Sequence, residues 1–373
     1  MQLIRCGMMI DRDGRACEGF FIRVDNGVIK EVGKDLLPCN GDEVIDASKL
    51  WVSPGLIDSH CHAGNVLNDL NEMSDPITPD MLADAGIDPF AKEYPYIREA
   101  GVTTICVLPG SGNLIGGIGV TIKVKPADCI EKMAVYSKRP FKMALGTNPP
   151  EVYREKRAPF GRMGNLALLE RTFYSALDYE KDREQGKAHY DPQLEALLPV
   201  LHGKQRVHIH CHAVRDIETA IRLAKKWGLD ITLDHVSAGE KIVDIIAESG
   251  IPCTIGPVLL AANKPEVERD VEPILPAMLE KAGVPFATLT DDSFGVTALP
   301  FTAGCFCSFG TSPEMARRSI TINPAKLLQI DDRVGSLEPG KDADIAFFTG
   351  DPLLNTTSCV GTMIDGVMYA RRF

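Results

Sequence analysis

The rhythm of apolar and polar positions changes twice along the chain. Residues 1 to 50 alternate in short runs broken by turns, as in "FFIRVDNGVIKEVG", where Asn26-Gly27 separates two such runs. Period-two alternation predicts half-buried strands, and Asn-Gly between two of them is a strong hairpin signal. The C-terminal end repeats the pattern: "GSLEPGKDADIAFFTG" is followed by "CVGTMIDGVMYARRF", with Asp365-Gly366 as a second hairpin turn. Two β-rich pieces at opposite ends predict a small sheet domain built from residues 1–52 and 335–373.

The stretch between them, 53–334, alternates strand-like with helix-like segments. "GVTTICVLPGSGN" runs from a strand into a glycine-rich loop. "RVHIHCHA" reads as a strand, and the next segment places Ile217, Ala220, Ile221 and Ala224 at helical spacing with Gly228 as a stop. Strand "LDITLDHV", helix "EKIVDIIAESG", strand "IPCTIGPV", helix "EPILPAMLEKAG" and strand "PFATLTDD" follow. Such alternation, sustained over roughly 250 residues, is the pattern of an α/β (β/α)₈ barrel. A doubly wound open sheet is the competitor, but the G-x-G-x-x-G turn of a dinucleotide-binding version is absent.

The candidate chemistry sits where these strands end. In "SPGLIDSHCH", His60 and His62 are two residues apart, so on a strand both imidazoles face the same side. His210 ends "RVHIH", His235 ends "ITLDH" and Asp291 follows "FATLT". Barrels collect their chemistry from such C-terminal strand ends, and five groups in equivalent places predict a divalent metal centre. Imidazole and carboxylate without thiolate suit Zn²⁺ first, and also Mn²⁺, Fe²⁺ or Ni²⁺. Such an ion lowers the pKa of bound water from 15.7 towards about 7, which points to hydrolysis with Asp291 as proton acceptor and donor. Cys61 and Cys211, flanked by histidines, alternate away from them and read as buried thiols. A cupin also uses an H-x-H pair, but its glutamate four residues on is here Val66.

Composition adds boundaries. A net charge of −11 over 373 residues disfavours a nucleic-acid surface. No run approaches 18 uninterrupted apolar residues and the start lacks a secretory apolar region, so neither a membrane span nor export is expected. Eleven cysteines without paired C-x-x-C spacing fit a reduced, cytoplasmic protein.

Taken in order, "PGLIDSHCH", a later strand-end histidine, "LDHV", a "TD" aspartate and the closing "VGSLEPGKDADIAFF" resemble the amidohydrolase superfamily, more narrowly its imidazolonepropionase-like branch. The resemblance extends through "GVTTICVLPGSGNLIGG", "FKMALGTNP", "GRMGN" and "TINPAKLLQI", nearly the whole chain. It implies a distorted TIM barrel with a β-sandwich formed by both termini. It also implies His60, His62, His210, His235 and Asp291 as ligands of one or two ions, with Asp291 shuttling the proton and His235 ligating or polarising the substrate carbonyl. Two-ion members bridge the metals with a carboxylated lysine; Lys142 in "FKMALG" is the candidate and Lys123 in "VTIKVK" the reserve. A homo-oligomer is what the family suggests. Two departures stand near the expected substrate: "TDDSFG" where relatives often have His-Pro after the aspartate, and "GTNPP" in place of "GENPK".

The expected reaction is hydrolysis of a C–N bond in a small molecule: an amide, a cyclic amide or a dipeptide. Deamination of a heterocycle is the alternative, although no acid follows His210 until Asp216 where deaminases place a glutamate within a few residues. A non-catalytic scaffold is the other, and every ligand it would have lost is present. Arg154, Lys156, Arg157 and Arg162 form a basic cluster, from which Arg162 is the expected anchor of a substrate carboxylate. His212 and Asn113 are further substrate-side candidates. "GSGNLIGG" lacks the ending of a P-loop and reads instead as a loop lying close over the pocket.

Overall fold

Both ends of the chain are strands, and left-handed turns at Asn26-Gly27 and Asp365-Gly366 join two pairs of them. The computed structural model describes residues 1–65, 69–156, 158–258, 272–369 and 371–373; Val66 and Arg157 lie outside them. The first strands are β1 (Gln2–Ile10), β2 (Ala16–Glu18), β3 (Phe21–Asp25), β4 (Val28–Gly33) and β5 (Glu43–Pro54). The central ones are β6 (Leu56–Cys61), β7 (Val102–Val107), β8 (Ile115–Ile118), β9 (Val120–Lys123), β10 (Phe141–Ala144), β11 (Val207–Cys211), β12 (Ile231–His235), β13 (Cys253–Ile255) and β14 (Phe286–Thr288). The chain closes on β15 (Ile345–Phe348), β16 (Cys359–Ile364) and β17 (Val367–Tyr369).

The two expected hairpins form. Asn26 and Gly27 have φ of 49° and 79°, and Asp365 and Gly366 have 50° and 75°, the pair of positive values that a two-residue turn between twisted strands requires. The terminal strands join one eight-stranded sheet in the order β17-β16-β15-β5-β1-β3-β4, with β2 on β1. They share an apolar cluster that includes Ile4, Ile22, Ile45, Val52, Phe347 and Met363. Among the described residues the terminal strands thus hydrogen-bond into one sheet of their own.

The central strands fall into a six-stranded sheet, β14-β13-β12-β11-β10-β8, and a three-stranded sheet, β6-β7-β9. Strands β10 to β14 are mutually parallel, as the βα alternation predicts. Strands β8 and β9 are not: each runs antiparallel to its neighbour. The segment expected to be only a loop, "GSGNLIGG", continues into β8. Its bend rests on Gly117, where φ is 109° and a Cβ would sit 2.4 Å from the Met81 carbonyl oxygen. The chain passes directly from β8 into β9, so these strands tie the two sheets together. At the other edge Asp291 N donates to His60 O (3.1 Å), and Ser59 Oγ donates to Thr288 O (2.9 Å).

Helices cover the six-stranded sheet. The helix Val214–Trp227 buries Ile217, Ala220, Leu223 and Ala224 and ends at Gly228 in the left-handed conformation, as its spacing predicts. It packs into the main apolar cluster with Ile209, Leu233, Ile255 and Phe286 from the strands. No helix among the described residues is long and apolar enough to cross a membrane. All eleven cysteines are free.

Candidate active site

The C-terminal ends of β6, β11, β12 and β14 bring the sequence-derived histidines and aspartate to one place. His62 Nε2 lies 3.0 Å and His60 Nε2 3.5 Å from the same Asp291 oxygen, Oδ1. The His60 ring centroid is 5.4 Å from those of both His62 and His235, and His210 is 4.5 Å from His235. His60, His235 and Asp291 form one group whose ligand atoms lie within 4.8 Å of one another, and His210, His212 and His235 form a second. His212, expected only on the substrate side, thus stands among the possible ligands. Its ring stacks on His235 at 4.8 Å and its Nδ1 is 2.6 Å from Ser237 Oγ.

Backbone geometry makes this convergence possible. Strand alternation alone would send Asp234 and His235 to opposite sides. His235 and Val236 have φ of 73° and 53°, and Asp291 has 55°. The left-handed conformation ends β12 at His235, and at Asp291 it turns the chain three residues beyond β14. Such strain clusters at functional sites.

The imidazoles are prepared as ligands. His235 Nδ1 is 2.8 Å from the Gly256 carbonyl and His62 Nδ1 is 3.0 Å from that of Leu108. A carbonyl only accepts, so in each ring Nδ1 carries the hydrogen; His62 Nε2 meets Asp291 Oδ1 at 3.0 Å. His235 Nε2 is fully buried and has no hydrogen-bond partner, an orphan that a cation would satisfy. Burial disfavours the charged form of His60, His210 and His235. It lowers the pKa of His60 to about 3, helped by Lys142. It lowers His210 well below the ordinary value, helped by His212 and His235. The donors therefore fit a divalent ion, and amidohydrolases generally use one.

Asp291 has the complementary state. Burial alone would raise its carboxyl, but His235 and His62 outweigh that and hold it well below the usual carboxylate range. Its side chain still keeps 30% of its surface open toward the cleft.

Lys142, on β10, places Nζ 3.0 Å from His60 Nε2. It is fully buried, and desolvation lowers its pKa against the pull of Asp234 and Asp291. Lys123 is elsewhere. It ends β9 and bonds Asp342 (2.7 Å), Asp344 (3.1 Å) and Asp365, where the central strands meet the terminal sheet. As the reserve bridging lysine it is withdrawn, because three carboxylates hold it away from the histidines.

The cleft above these groups measures about 590 Å³ and is lined by His62, Asn71, Ser111, Asn148, Glu151, His210, His212 and Asp291 among others. The glycine-rich loop does lie against it. Gly110 and Gly112 line it, and a Cβ at Gly110 would meet Asn71 Nδ2 at 2.5 Å. Both departures from the family pattern border the site. "GTNPP" opens a short helix, Asn148–Tyr153, whose Asn148 Nδ2 is 3.4 Å from His210 Nε2. In "TDDSFG", Asp292 O accepts from His62 N and Ser293 Oγ donates to His62 O.

Two substrate-side expectations are not brought to the cleft. Arg162 makes a bidentate pair with Asp216, at 2.7 and 2.9 Å. Asn113 is buried under the loop, where it donates to Glu72 O and Thr78 Oγ1 and accepts from Tyr153. Arg154 lies over the Phe160 ring. Among the described residues lining the cleft there is no lysine or arginine.

One residue was overlooked by sequence reading. Asp234 is fully buried, with Oδ2 3.0 Å from His60 Nδ1 and 3.3 Å from His208 Nδ1, while Oδ1 accepts from Thr232 and Thr254. Alternation along "ITLDH" places it on the inner face beside its β11 partner His210, which was signal enough.

Comparison with known proteins agrees with this geometry. The model of the amidohydrolase family matches residues 174–369. A crystal structure of an amidohydrolase from Thermotoga maritima MSB8 superposes over 100% of both chains with a TM-score of 0.94 and 32% identity. Amidohydrolase tasK of Hapsidospora irregularis is 27% identical over 95% of this chain, which spans 41% of that protein. Imidazolonepropionase of Brevibacillus brevis is 26% identical over 88% of this chain and 83% of its own length. With a family model across more than half of it and a full-length structural relative, the chain belongs to the amidohydrolase family and is an enzyme acting on carbon–nitrogen bonds.

Proposed function

We propose that this protein is a cytoplasmic, metal-dependent hydrolase of an amide bond in a small molecule, either a dipeptide-like or a cyclic amide. Residues 53–334 would form the catalytic barrel, and 1–52 with 335–373 the accessory sandwich. The observation that carries the reading is the convergence of His60, His62, His210, His235 and Asp291 on one cleft, with His235 Nε2 bare. A divalent ion, Zn²⁺ by preference for this donor set, supplies Lewis acidity toward a carbonyl and lowers the pKa of water when bound there.

The chain's own groups do the rest. Asp291, held ionised beside two imidazoles, accepts the proton of the attacking water and returns it to the leaving nitrogen. His235 acts as ligand: with Nδ1–H committed to Gly256 O, its neutral ring has no hydrogen left to polarise a carbonyl. Lys142, whose ammonium form burial disfavours and whose Nζ is 3.0 Å from His60 Nε2, is the residue that would add CO₂ as its amine, with loss of a proton, to give a carbamate able to hold metal. A carbamate carbon resonance after ¹³C-bicarbonate loading, absent in Lys142→Ala, checks this; no such signal leaves a one-ion site.

Arg162 is spent on Asp216, so recognition through a substrate carboxylate by that residue is dropped. Asn148 and Glu151 share one face of their helix by i,i+3 spacing and both line the cleft. They favour a neutral or amine-bearing flank beside the scissile amide. Zinc-loaded protein screened against dipeptides, N-acyl amino acids and cyclic ureides, with ammonia release followed in parallel, tests the reading. Asp291→Asn should lower kcat by about 10²–10⁴-fold on whichever substrate turns over, with an unchanged circular-dichroism spectrum. Near-normal turnover in that variant sinks the role of Asp291, and ammonia released together with an intact oxo-ring product moves the reaction to deamination.

A further inference from the structure

We infer that His212 is a metal ligand, and that His210, His212 and His235 form a three-imidazole site complete without a carbamate on Lys142. His212 is not among the ligands that the family resemblance implies. It stands two residues after His210 at the end of β11, so both rings lie on one side of the chain, with centroids 4.5 Å apart. The backbone then sets them beside His235. Val236 N donates to Cys211 O (3.0 Å) and Ala238 N donates to His212 O (3.0 Å), which ties the end of β11 to the left-handed turn that closes β12. All three histidines are buried, and their ligand atoms lie within 4.8 Å of one another.

Two candidate groups share His235, yet its one bare nitrogen serves a single ion. Distance assigns it. The His235 centroid is 4.5 Å from that of His210 and 4.8 Å from that of His212, against 5.4 Å from that of His60. His212 Nδ1 faces Ser237 Oγ at 2.6 Å. A hydroxyl that accepts the ring hydrogen leaves Nε2 for an ion, the arrangement found behind metal-bound imidazoles. His210 Nε2 is 3.4 Å from the Asn148 amide nitrogen, longer than the usual range of about 2.7–3.2 Å, so that contact holds its lone pair weakly. Three protein ligands with one position open match the ligand number of catalytic zinc sites. Without an oxygen donor, the set favours Zn²⁺, Co²⁺ or Ni²⁺ over Mn²⁺. His60, His62, Asp291 and Lys142 remain as a separate, oxygen-bearing set. The inference rests on the metal reading of the cleft and not on the substrate proposed above.

Titration of the metal-free full chain with Co²⁺, followed by visible absorption and equilibrium dialysis, tests it. The parent should bind an ion with the intense d–d bands of a four-coordinate site. His212→Ala should weaken that ion by about tenfold or more and alter its bands. Ser237→Ala, which leaves all three rings in place, should weaken it by about 10–100-fold. Lys142→Ala should keep both the affinity and the bands. An affinity and spectrum equal in parent and His212→Ala overturns the inference, and so does loss of the same bands in Lys142→Ala. Should His212→Ala lose the parent's circular-dichroism spectrum, Ser237→Ala decides, and parent-like binding there counts against His212. A parent that binds no Co²⁺ overturns the metal reading of the whole cleft, this site included.

Discussion

Asp234 is a fully buried carboxylate. Its oxygens are met by two threonine hydroxyls and two imidazoles. A buried charge so placed orients what it touches: it aligns the His60 ring so that Nε2 faces Asp291 and Lys142. Carboxylates behind metal-ligating histidines are worth about 10–100-fold in metal affinity. Asp234→Asn should therefore weaken zinc binding by about that factor, read by competition with a chromophoric chelator. An affinity equal to the parent's would mean that His60 needs no such support. At this scale, residue type and spacing were informative for the groups on strand ends and uninformative for Arg162. Its partner Asp216 lies 54 positions away, and no local pattern says which of several solvent-side or substrate-side carboxylates a guanidinium will meet.

At the scale of elements, the site depends on how strands stop. Residues His235, Val236 and Asp291 hold positive φ, at a cost of about 1–3 kcal/mol each, and the neighbouring strand end must compensate. Gly256 does part of this. Its carbonyl fixes His235, and its own φ of 148° brings it so near Leu289 that a Cβ would sit 2.1 Å from the Leu289 carbonyl oxygen. Gly256→Ala must displace either the end of β13 or the segment leading to Asp291. It should lower the melting temperature by several degrees, as a loss of about 1–3 kcal/mol implies, and reduce bound zinc in parallel. A variant that melts and loads zinc like the parent would show that the close approach is dispensable. The helix Val214–Trp227 and both hairpins were legible from sequence because period, glycine stop and Asn-Gly or Asp-Gly turns are local properties. The antiparallel β8 and β9 were not, since pairing direction is settled by which edge a strand reaches.

For the whole molecule, the terminal sheet is fastened to the central strands by Lys123 with Asp342, Asp344 and Asp365. Burial alone would lower the Lys123 pKa, but the three carboxylates outweigh it and raise it above the ordinary 10.5, so this lysine stays cationic at any moderate pH. Asp344 is fully buried, and desolvation raises its pKa from 3.8 to about 6 despite Lys123. The folded state then holds a proton that the unfolded chain has released between those two values. Stability from this group is present below about 3.8 and falls as pH rises to about 6. Asp344→Asn lacks the titration. The parent's denaturation midpoint should thus drop relative to the variant's over that window and run parallel to it above. A difference independent of pH would exclude Asp344 as the titrating group.

The order of elements, the H-x-H pair and the strand-end histidines and aspartate followed from residue type and period, because alternation and turn chemistry act between near neighbours. Lys142 and Lys123 could not be separated that way: both sit in short apolar strands of similar composition. Packing placed one against His60 and the other among three carboxylates. Long-range contacts decide which partner a buried charge meets, and with it whether the charge serves the cleft or the joint.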